Sequence, residues 1–168
     1  MLHHTAHAVT PHDAATTMAA VFVALYTAHQ IGDHWVQTSC QAAEKGLRGC
    51  AGRWACSKHV ATLTATKLAL LVPVALLLDL QITVLGATVA LAVDAGTHWW
   101  ADRRSTLAWL AKVTDKTEFY TLGTPAHPEH PITTEGKYAP TLGTGAYSLD
   151  QAFHVFWLLV ASVITATV

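Results

Sequence analysis

The chain has 168 residues, of which 52% are apolar and only 12% are charged. Soluble domains are about 25% charged, and a chain this small must cover much of its surface with polar groups. The composition therefore argues against an ordinary soluble enzyme. The formal net charge of -1 also argues against disorder and against nucleic-acid binding. The eleven histidines are a second anomaly, since they equal the number of aspartates plus glutamates.

Four stretches of the chain carry almost no charge. Residues 14–32 and 151–168 have no charged side chain, and two further stretches have one each, Lys67 in 59–78 and Asp94 in 80–101. Each stretch is about 18 to 22 residues long, the length that an α-helix needs to cross a hydrocarbon core of about 30 Å. We therefore predict an all-α, four-span transmembrane helical bundle that forms one domain over residues 1–168. Its spans lie near residues 14–37, 57–78, 81–101 and 148–167.

Two other interpretations of these stretches are open. A soluble bundle of apolar helices would show polar outer faces. A cleaved signal peptide would have a basic flank, but residues 1–13 contain no Lys or Arg, and no clear small-residue cleavage site follows. The histidines of this flank are interpreted as a tail or as a weak metal-binding patch. They are His3, His4, His7 and His12.

The basic residues indicate how the spans are oriented. Nine of the ten lysines and arginines fall in the segments that connect span one to span two and span three to span four. Because Lys and Arg accumulate in cytoplasmic loops, these segments are predicted to be cytoplasmic and both termini to lie outside. The nine residues are Lys45, Arg48, Arg53, Lys58, Arg103, Arg104, Lys112, Lys116 and Lys137.

The segment 102–147 is predicted to be a long cytoplasmic loop that includes a short amphipathic part. In residues 102–118, Leu107, Leu110 and Val113 are spaced to lie on the membrane surface. Residues 119–147 contain four prolines and four glycines, which predicts irregular structure. A loop of this length is usually functional or disordered.

Histidines and aspartates recur inside the predicted spans, where ionisable residues are costly and usually functional. Four pairs are spaced four residues apart, which places both side chains on one helical face. Because successive helices alternate in direction, the histidines of all four spans are expected at one level near the cytoplasmic face. The pairs are His29/Asp33, Asp94/His98, His98/Asp102 and Asp150/His154, and His59 opens the second span.

Three explanations of this cluster are open. Neutral imidazoles and carboxylates suit a divalent metal ion such as Zn, Mn or Fe. The same groups can form a structural network of interhelical hydrogen bonds that hold helices together in a bilayer. Intramembrane His and Asp residues also mark proton or ion pathways.

The remaining polar residues are interpreted separately. His34 leaves the face shared by His29 and Asp33 and is expected at the membrane interface. Lys67 is expected either to snorkel or to pair with a neighbour. Tryptophans near the cytoplasmic boundary are predicted to be interfacial anchors. They are Trp35, Trp54, Trp99 and Trp100.

The cysteines offer a weaker alternative site. Cys40, Cys50 and Cys56 lie on the predicted cytoplasmic segment, where disulfides are rare. Together with His59 they provide the residue types of a Cys₃His zinc loop, although their spacing matches no standard zinc knuckle.

The stretch His29-Gln-Ile-Gly-Asp33-His-Trp-Val-Gln37 resembles the opening signature of domain of unknown function 3307. This is a family of small multi-pass membrane proteins of bacteria and their phages. The likeness covers about residues 22 to 160. It continues through His59, Thr97-His98-Trp-Trp-Ala-Asp102-Arg103 and Leu149-Asp150-Gln151-Ala-Phe-His154.

The resemblance implies a multi-pass protein of the bacterial inner membrane. The pattern is similar in style to membrane-bound metal-dependent hydrolases, which place His and Asp on several spans. Asp94, the cysteines, the histidine-rich tail and the loop 119–147 depart from the family pattern. Gln37 and Gln151 take supporting positions. The site residues that the resemblance implies are His29, Asp33, His59, His98, Asp102, Asp150 and His154.

We therefore predict a membrane-embedded, metal-dependent hydrolase. The expected neutral ligands are His29, His98 and His154. The expected anionic ligands, or carboxylates that orient the imidazoles, are Asp33, Asp102 and Asp150, one of which acts as general base. His59 is a further ligand or a proton shuttle.

The expected partners are the lipid bilayer and a lipid-linked or phosphorylated substrate, because the site opens at the level of the headgroups. Two alternatives are retained. One is a non-enzymatic membrane accessory protein with a structural His/Asp network, and the other is a metal or proton transporter.

Overall fold

The computed structural model describes residues 11–123 and 143–168, and every regular element in these two ranges is helical. The tail positions 3, 4 and 7 and the loop positions 124–142 lie outside the described residues. The helices are α1 (Pro11–Ile31), α2 (Ser39–Glu44), α3 (Gly49–Leu77), α4 (Val84–Asp102), α5 (Ser105–Val113), α6 (Thr117–Thr121) and α7 (Gly145–Thr167), and a π-helical segment (Gly32–Val36) continues α1.

The four long helices form a closed ring in which α1 contacts α3 and α7, and α4 contacts α3 and α7. Threonine side chains cap the N-termini of α4 and α7. Thr83 accepts a hydrogen bond from the Gly86 amide, and Thr144 accepts one from the Tyr147 amide. The apolar core lies between the long helices. It consists of Val21, Ala24, Leu25, Leu71, Ala90, Leu158 and Ala161.

Three of the long helices are long and apolar enough to cross a membrane. The candidate spans are Asp13–Val36, Gly49–Leu77 and Gly145–Thr167. The fourth, α4, has 19 residues, but it carries Asp94 and His98 and is not among them. Large apolar side chains also cover the outer surface, including Leu77 at 83% exposure and Val84 at 86%. Soluble proteins rarely expose contiguous apolar surface on this scale, so the helices indicate membrane association.

The helix bounds correct the sequence prediction in several places. Helix α3 begins eight residues before the predicted start at 57, so it includes part of the predicted loop. The short helices α2 and α6 were not predicted. A capping box forms α2, in which Thr38 and Gln41 each bond the backbone amide of the other. Helix α5 lies in the predicted amphipathic segment, but its Leu107 is buried by the protein instead of lying on the membrane surface.

A buried ion pair joins α3 to α4. Lys67 Nζ lies 2.5 Å from Asp94 Oδ2, and the two side chains are 0% and 5% exposed. Lys67 therefore pairs with a neighbour and does not snorkel. Helical side chains lean toward the start of their helix, so Lys67 reaches from deep in α3 back toward the level of His59. The sequence predicted a contact between Asp94 and His98. Asp94 instead pairs with Lys67.

Replacing one member of the pair is expected to cost far more stability than replacing both. Lys67→Met leaves the Asp94 carboxylate buried without its partner, a change that typically costs about 3–5 kcal/mol. The double variant Lys67→Met/Asp94→Leu removes both charges and should recover most of that loss. Thermal unfolding of the purified variants in one detergent measures both effects. A double variant no more stable than Lys67→Met would contradict this account.

Candidate metal centre

Six His and Asp side chains from four helical segments meet inside the bundle at one level. The π-helical segment carries one of the carboxylates, and such segments are frequent at functional sites. Five of the six residues are buried, and the side chain of Asp33 is 9% exposed. The six are His29, Asp33, His59, His98, Asp102 and His154.

The first group of candidate ligands consists of Asp33, His59 and His98. The two Nε2 atoms of His59 and His98 lie 3.1 Å apart. Asp33 Oδ1 lies 3.1 Å from the first of them and 3.8 Å from the second. In a tetrahedral site with metal–ligand bonds of about 2.0–2.2 Å, ligand atoms are about 3.3–3.6 Å apart. The three observed distances lie on either side of this range, so the atoms are close enough to share one ion after small shifts of the side chains.

Asp102 is the carboxylate with the most partners in the cluster. Its Oδ2 lies 3.2 Å from His98 Nε2 and 3.3 Å from His59 Nε2. Its Oδ1 lies 2.8 Å from Lys45 Nζ and 4.0 Å from His154 Nε2. Asp102, His98 and His154 form the second group of candidate ligands.

Of the four histidines in the cluster, His29 belongs to neither group, and it lies against the first. His29 Nε2 is 3.6 Å from Asp33 Oδ2. The His154 ring stacks on the His98 ring at a centroid distance of 3.9 Å. Asp150, whose side chain is 22% exposed, lies 3.4 Å from His154 Nε2. It belongs to neither group of candidate ligands among the described residues and forms the solvent-exposed edge of the cluster.

Several buried polar atoms of the cluster make no hydrogen bond of good geometry within the described residues. Both ring nitrogens of His29 are in this state, as are Asp33 Oδ1, Asp102 Oδ2 and His154 Nε2. A buried polar atom without a partner costs about 1–3 kcal/mol. Neutral imidazole nitrogens and carboxylate oxygens are common ligands for divalent transition metals. The donor set therefore fits a metal ion, and the His/Asp groups are positioned to hold one.

The loop before α3 brings a cation to the cluster. Arg103 donates hydrogen bonds to the carbonyls of Lys45 and Leu47, and Arg104 donates one to Ala42. These bonds hold the chain so that the Lys45 ammonium reaches Asp102, which lies beside Arg103 in the sequence. Burial by itself disfavours the ammonium, but the Asp102 carboxylate outweighs this effect and raises the pKa of Lys45.

The structure brings together most of the predicted site residues. Three of the four predicted pairs are in contact: His29 with Asp33, His98 with Asp102, and Asp150 with His154. His59 contributes Nε2 to the centre of the cluster. Of the two supporting positions, Gln151 accepts a weak hydrogen bond from Gln30, and Gln37 has a buried amide nitrogen without a hydrogen-bond partner in the described residues.

The cysteines and His34 are not among the candidate ligands of the described residues. Cys40 and Cys50 are exposed, and the Cys56 thiol faces the Trp99 carbonyl at 3.7 Å. No cysteine belongs to a candidate ligand group within residues 11–123 and 143–168, so the Cys₃His interpretation is not supported. His34 is exposed and bonds the Gln30 carbonyl and the Tyr147 hydroxyl.

Lys45 is the important site residue that the sequence analysis missed. It was interpreted only as a topology-determining charge. No helical spacing relates Lys45 to Asp102, because the contact depends on how the loop folds back over α4.

Comparison of the chain with protein-family models, curated proteins and solved structures finds no match. The resemblance to domain of unknown function 3307 therefore depends on its short motifs alone, and the functional conclusion depends on the geometry of the cluster.

Proposed function

We propose that the chain is a membrane-embedded, metal-dependent hydrolase of four spans, related to domain of unknown function 3307, with its metal centre near the cytoplasmic face. The observation that carries the proposal is the convergence of Asp33 Oδ1, His59 Nε2 and His98 Nε2 at the spacing of metal ligands. A purely structural network would account for the His59–His98 hydrogen bond, but it leaves both ring nitrogens of the buried His29 without a hydrogen bond in the described residues.

The residues divide into ligands and groups that act beside them. Asp33, His59 and His98 are the proposed primary ligands, and Asp102, whose Oδ2 lies 3.2–3.3 Å from the two imidazole nitrogens, belongs to the neighbouring ligand group. A bound Zn, Mn or Fe ion would supply Lewis acidity and a water of lowered pKa. His29 and His154 lie next to this set as further ligands or as groups that move protons.

Asp150 is the carboxylate that we assign to proton transfer. It is the most exposed carboxylate of the cluster and lies outside both ligand groups, yet it contacts His154. A general base must reach both the site and the solvent from which water enters. Asp33 and Asp102 are more deeply buried and are better suited to holding the metal ion.

An apolar groove supports a substrate with a lipid chain. Helices α1 and α3 line a groove of about 830 Å³ that extends along α1 from Ala15 to Thr27. Twelve residues of helix correspond to about 18 Å, which is the length of an extended acyl chain of moderate size. The groove ends at Thr27, which lies at nearly the same depth as His29 but on the opposite, exposed face of α1, so the groove reaches the level of the cluster without opening into it.

Metal binding is the first test of the proposal. The purified wild-type chain should bind a divalent metal ion, and His98→Ala should weaken the binding by more than the roughly 10–100-fold typical of supporting residues. His34→Ala is the matched control, because His34 is exposed and lies outside the cluster. Elemental analysis and titration with Zn²⁺ measure the effect.

Loss of folding must be distinguished from loss of a ligand. Asp33→Asn keeps the size of the side chain and serves as a second ligand variant. A wild-type chain without metal, together with a His98→Ala variant that fails to insert, would favour the structural network instead.

Hydrolysis is the second test. With a phosphorylated lipid in mixed micelles as the probe, Asp150→Asn should retain the metal ion and lose about 100-fold or more in kcat, the contribution usual for a general base. Release of inorganic phosphate measures the rate. Equal rates for wild type and Asp150→Asn would exclude the assigned role, and metal binding without hydrolysis of any phosphorylated or lipid-linked ester would limit the proposal to a metal-binding protein.

Topology is tested independently by labelling of the cysteines. Cys40 and Cys50 are exposed in the loop that we place in the cytoplasm, whereas Cys56 is buried. A membrane-impermeant maleimide should label single-cysteine variants at 40 and 50 in inverted membrane vesicles and leave them unlabelled in intact spheroplasts. Cys56 should require denaturant in both. Labelling of position 40 or 50 in spheroplasts would contradict the orientation with both termini outside.

A further inference from the structure

We infer that Lys45 is a built-in cation of the site, so that the site takes one divalent metal ion and not two. The inference rests on the proposed metal centre and concerns its charge. Lys45 Nζ lies 2.8 Å from Asp102 Oδ1, and its side chain is only 12% exposed.

The cluster contains donors for more than one metal ion. Two groups of candidate ligands are present, and both include His98. An imidazole Nε2 has one lone pair and binds one ion, so His98 can serve only one group at a time. The second group then keeps Asp102 Oδ1 and His154, with Asp150 beside them. Lys45 occupies this second position, because its ammonium already binds Asp102 Oδ1.

The charges of the site support one divalent ion. The cluster contains three carboxylates, Asp33, Asp102 and Asp150, and Lys45 contacts the second of them. With neutral imidazoles, three carboxylates and one ammonium leave two negative charges, which a single divalent ion neutralises. A second divalent ion would leave two positive charges in a buried site, where uncompensated charge is costly. The deeper pair of Lys67 and Asp94 cancels within itself.

The position of Lys45 is set by the fold. Its carbonyl accepts a hydrogen bond of 2.6 Å from Arg103 Nη1, and Arg103 also holds the Leu47 carbonyl. The next segment of the loop is closely packed, since a Cβ atom on Gly52 would collide with the Leu47 carbonyl. Lys45 is therefore held at two points, since Arg103 binds its main-chain carbonyl and Asp102 binds its ammonium.

The test counts metal ions in the full-length protein. Wild type, Lys45→Arg and the exposed-lysine control Lys112→Glu should each bind one Mn²⁺, with the electron paramagnetic resonance spectrum of an isolated ion. Lys45→Glu makes four carboxylates without an ammonium, a charge that two divalent ions neutralise. This variant should bind two Mn²⁺ and show the spectrum of a spin-coupled pair. Native mass spectrometry gives the stoichiometry independently.

A milder variant covers the case in which Lys45→Glu does not fold. Lys45→Met removes the positive charge that competes with the metal ion for Asp102 and should tighten binding of the first Mn²⁺ by about tenfold or more. Two Mn²⁺ in the wild type, one in a folded Lys45→Glu variant, or unchanged or weaker binding by Lys45→Met would each overturn the inference. Absence of any metal from the wild type would instead overturn the proposed metal centre itself.

Discussion

The buried carboxylate of Asp102 is the group around which the helices are arranged. It ends α4, and it receives His98 from its own helix, His59 from α3 and Lys45 from the preceding loop. An isolated carboxylate in an apolar interior is strongly unfavourable, so the bundle is stable only in the register at which these partners reach it. The ends of the helices are therefore fixed by electrostatics, while the apolar core fixes their middle.

A second constraint acts deeper in the bundle. The pair of Lys67 and Asp94 joins the same two helices, α3 and α4, that meet through His59 and His98. Two contacts at different depths prevent one helix from sliding along the other or tilting against it, whereas a single contact would act as a pivot. Beyond this pair, Leu25, Leu71 and Leu158 belong to the apolar core. The hydroxyls of Ser162 and Thr165 are also buried there, and each bonds a carbonyl of its own helix.

The sequence predicts contacts that lie within one helix and misses those that depend on packing. The spacing of four residues correctly places His29 with Asp33 and Asp150 with His154, because helical geometry alone decides such pairs. The same rule predicted His98 as the partner of Asp94, and the partner of Lys67 was not predicted. Asp94 contacts the lysine on α3, since the full ammonium charge is a stronger partner than a neutral imidazole and Lys67 is long enough to reach it.

The alternation of helix direction explains why the level of the cluster was predictable. Charge-free stretches of membrane length fix where each helix begins and ends to within a few residues, and histidines near those ends must then meet. The start of α3 was less predictable. Helix α3 begins eight residues before the predicted start at 57. These eight residues form a polar segment, where hydropathy is no guide to helix formation.

The basic residues near the cluster show why composition alone gives an incomplete account of charge. Lys45, Arg103 and Arg104 count toward the predicted cytoplasmic face, yet each also has a specific partner in the fold. Lys45 binds Asp102, Arg103 binds the Lys45 carbonyl, and Arg104 binds the Ala42 carbonyl in α2. The two roles are compatible, because the carboxylates and carbonyls that attract these cations lie at the ends of the helices that the positive-inside rule predicts to face the cytoplasm. The basic residues that the predicted orientation rests on are therefore also the ones that neutralise the buried acidic site and hold its loop.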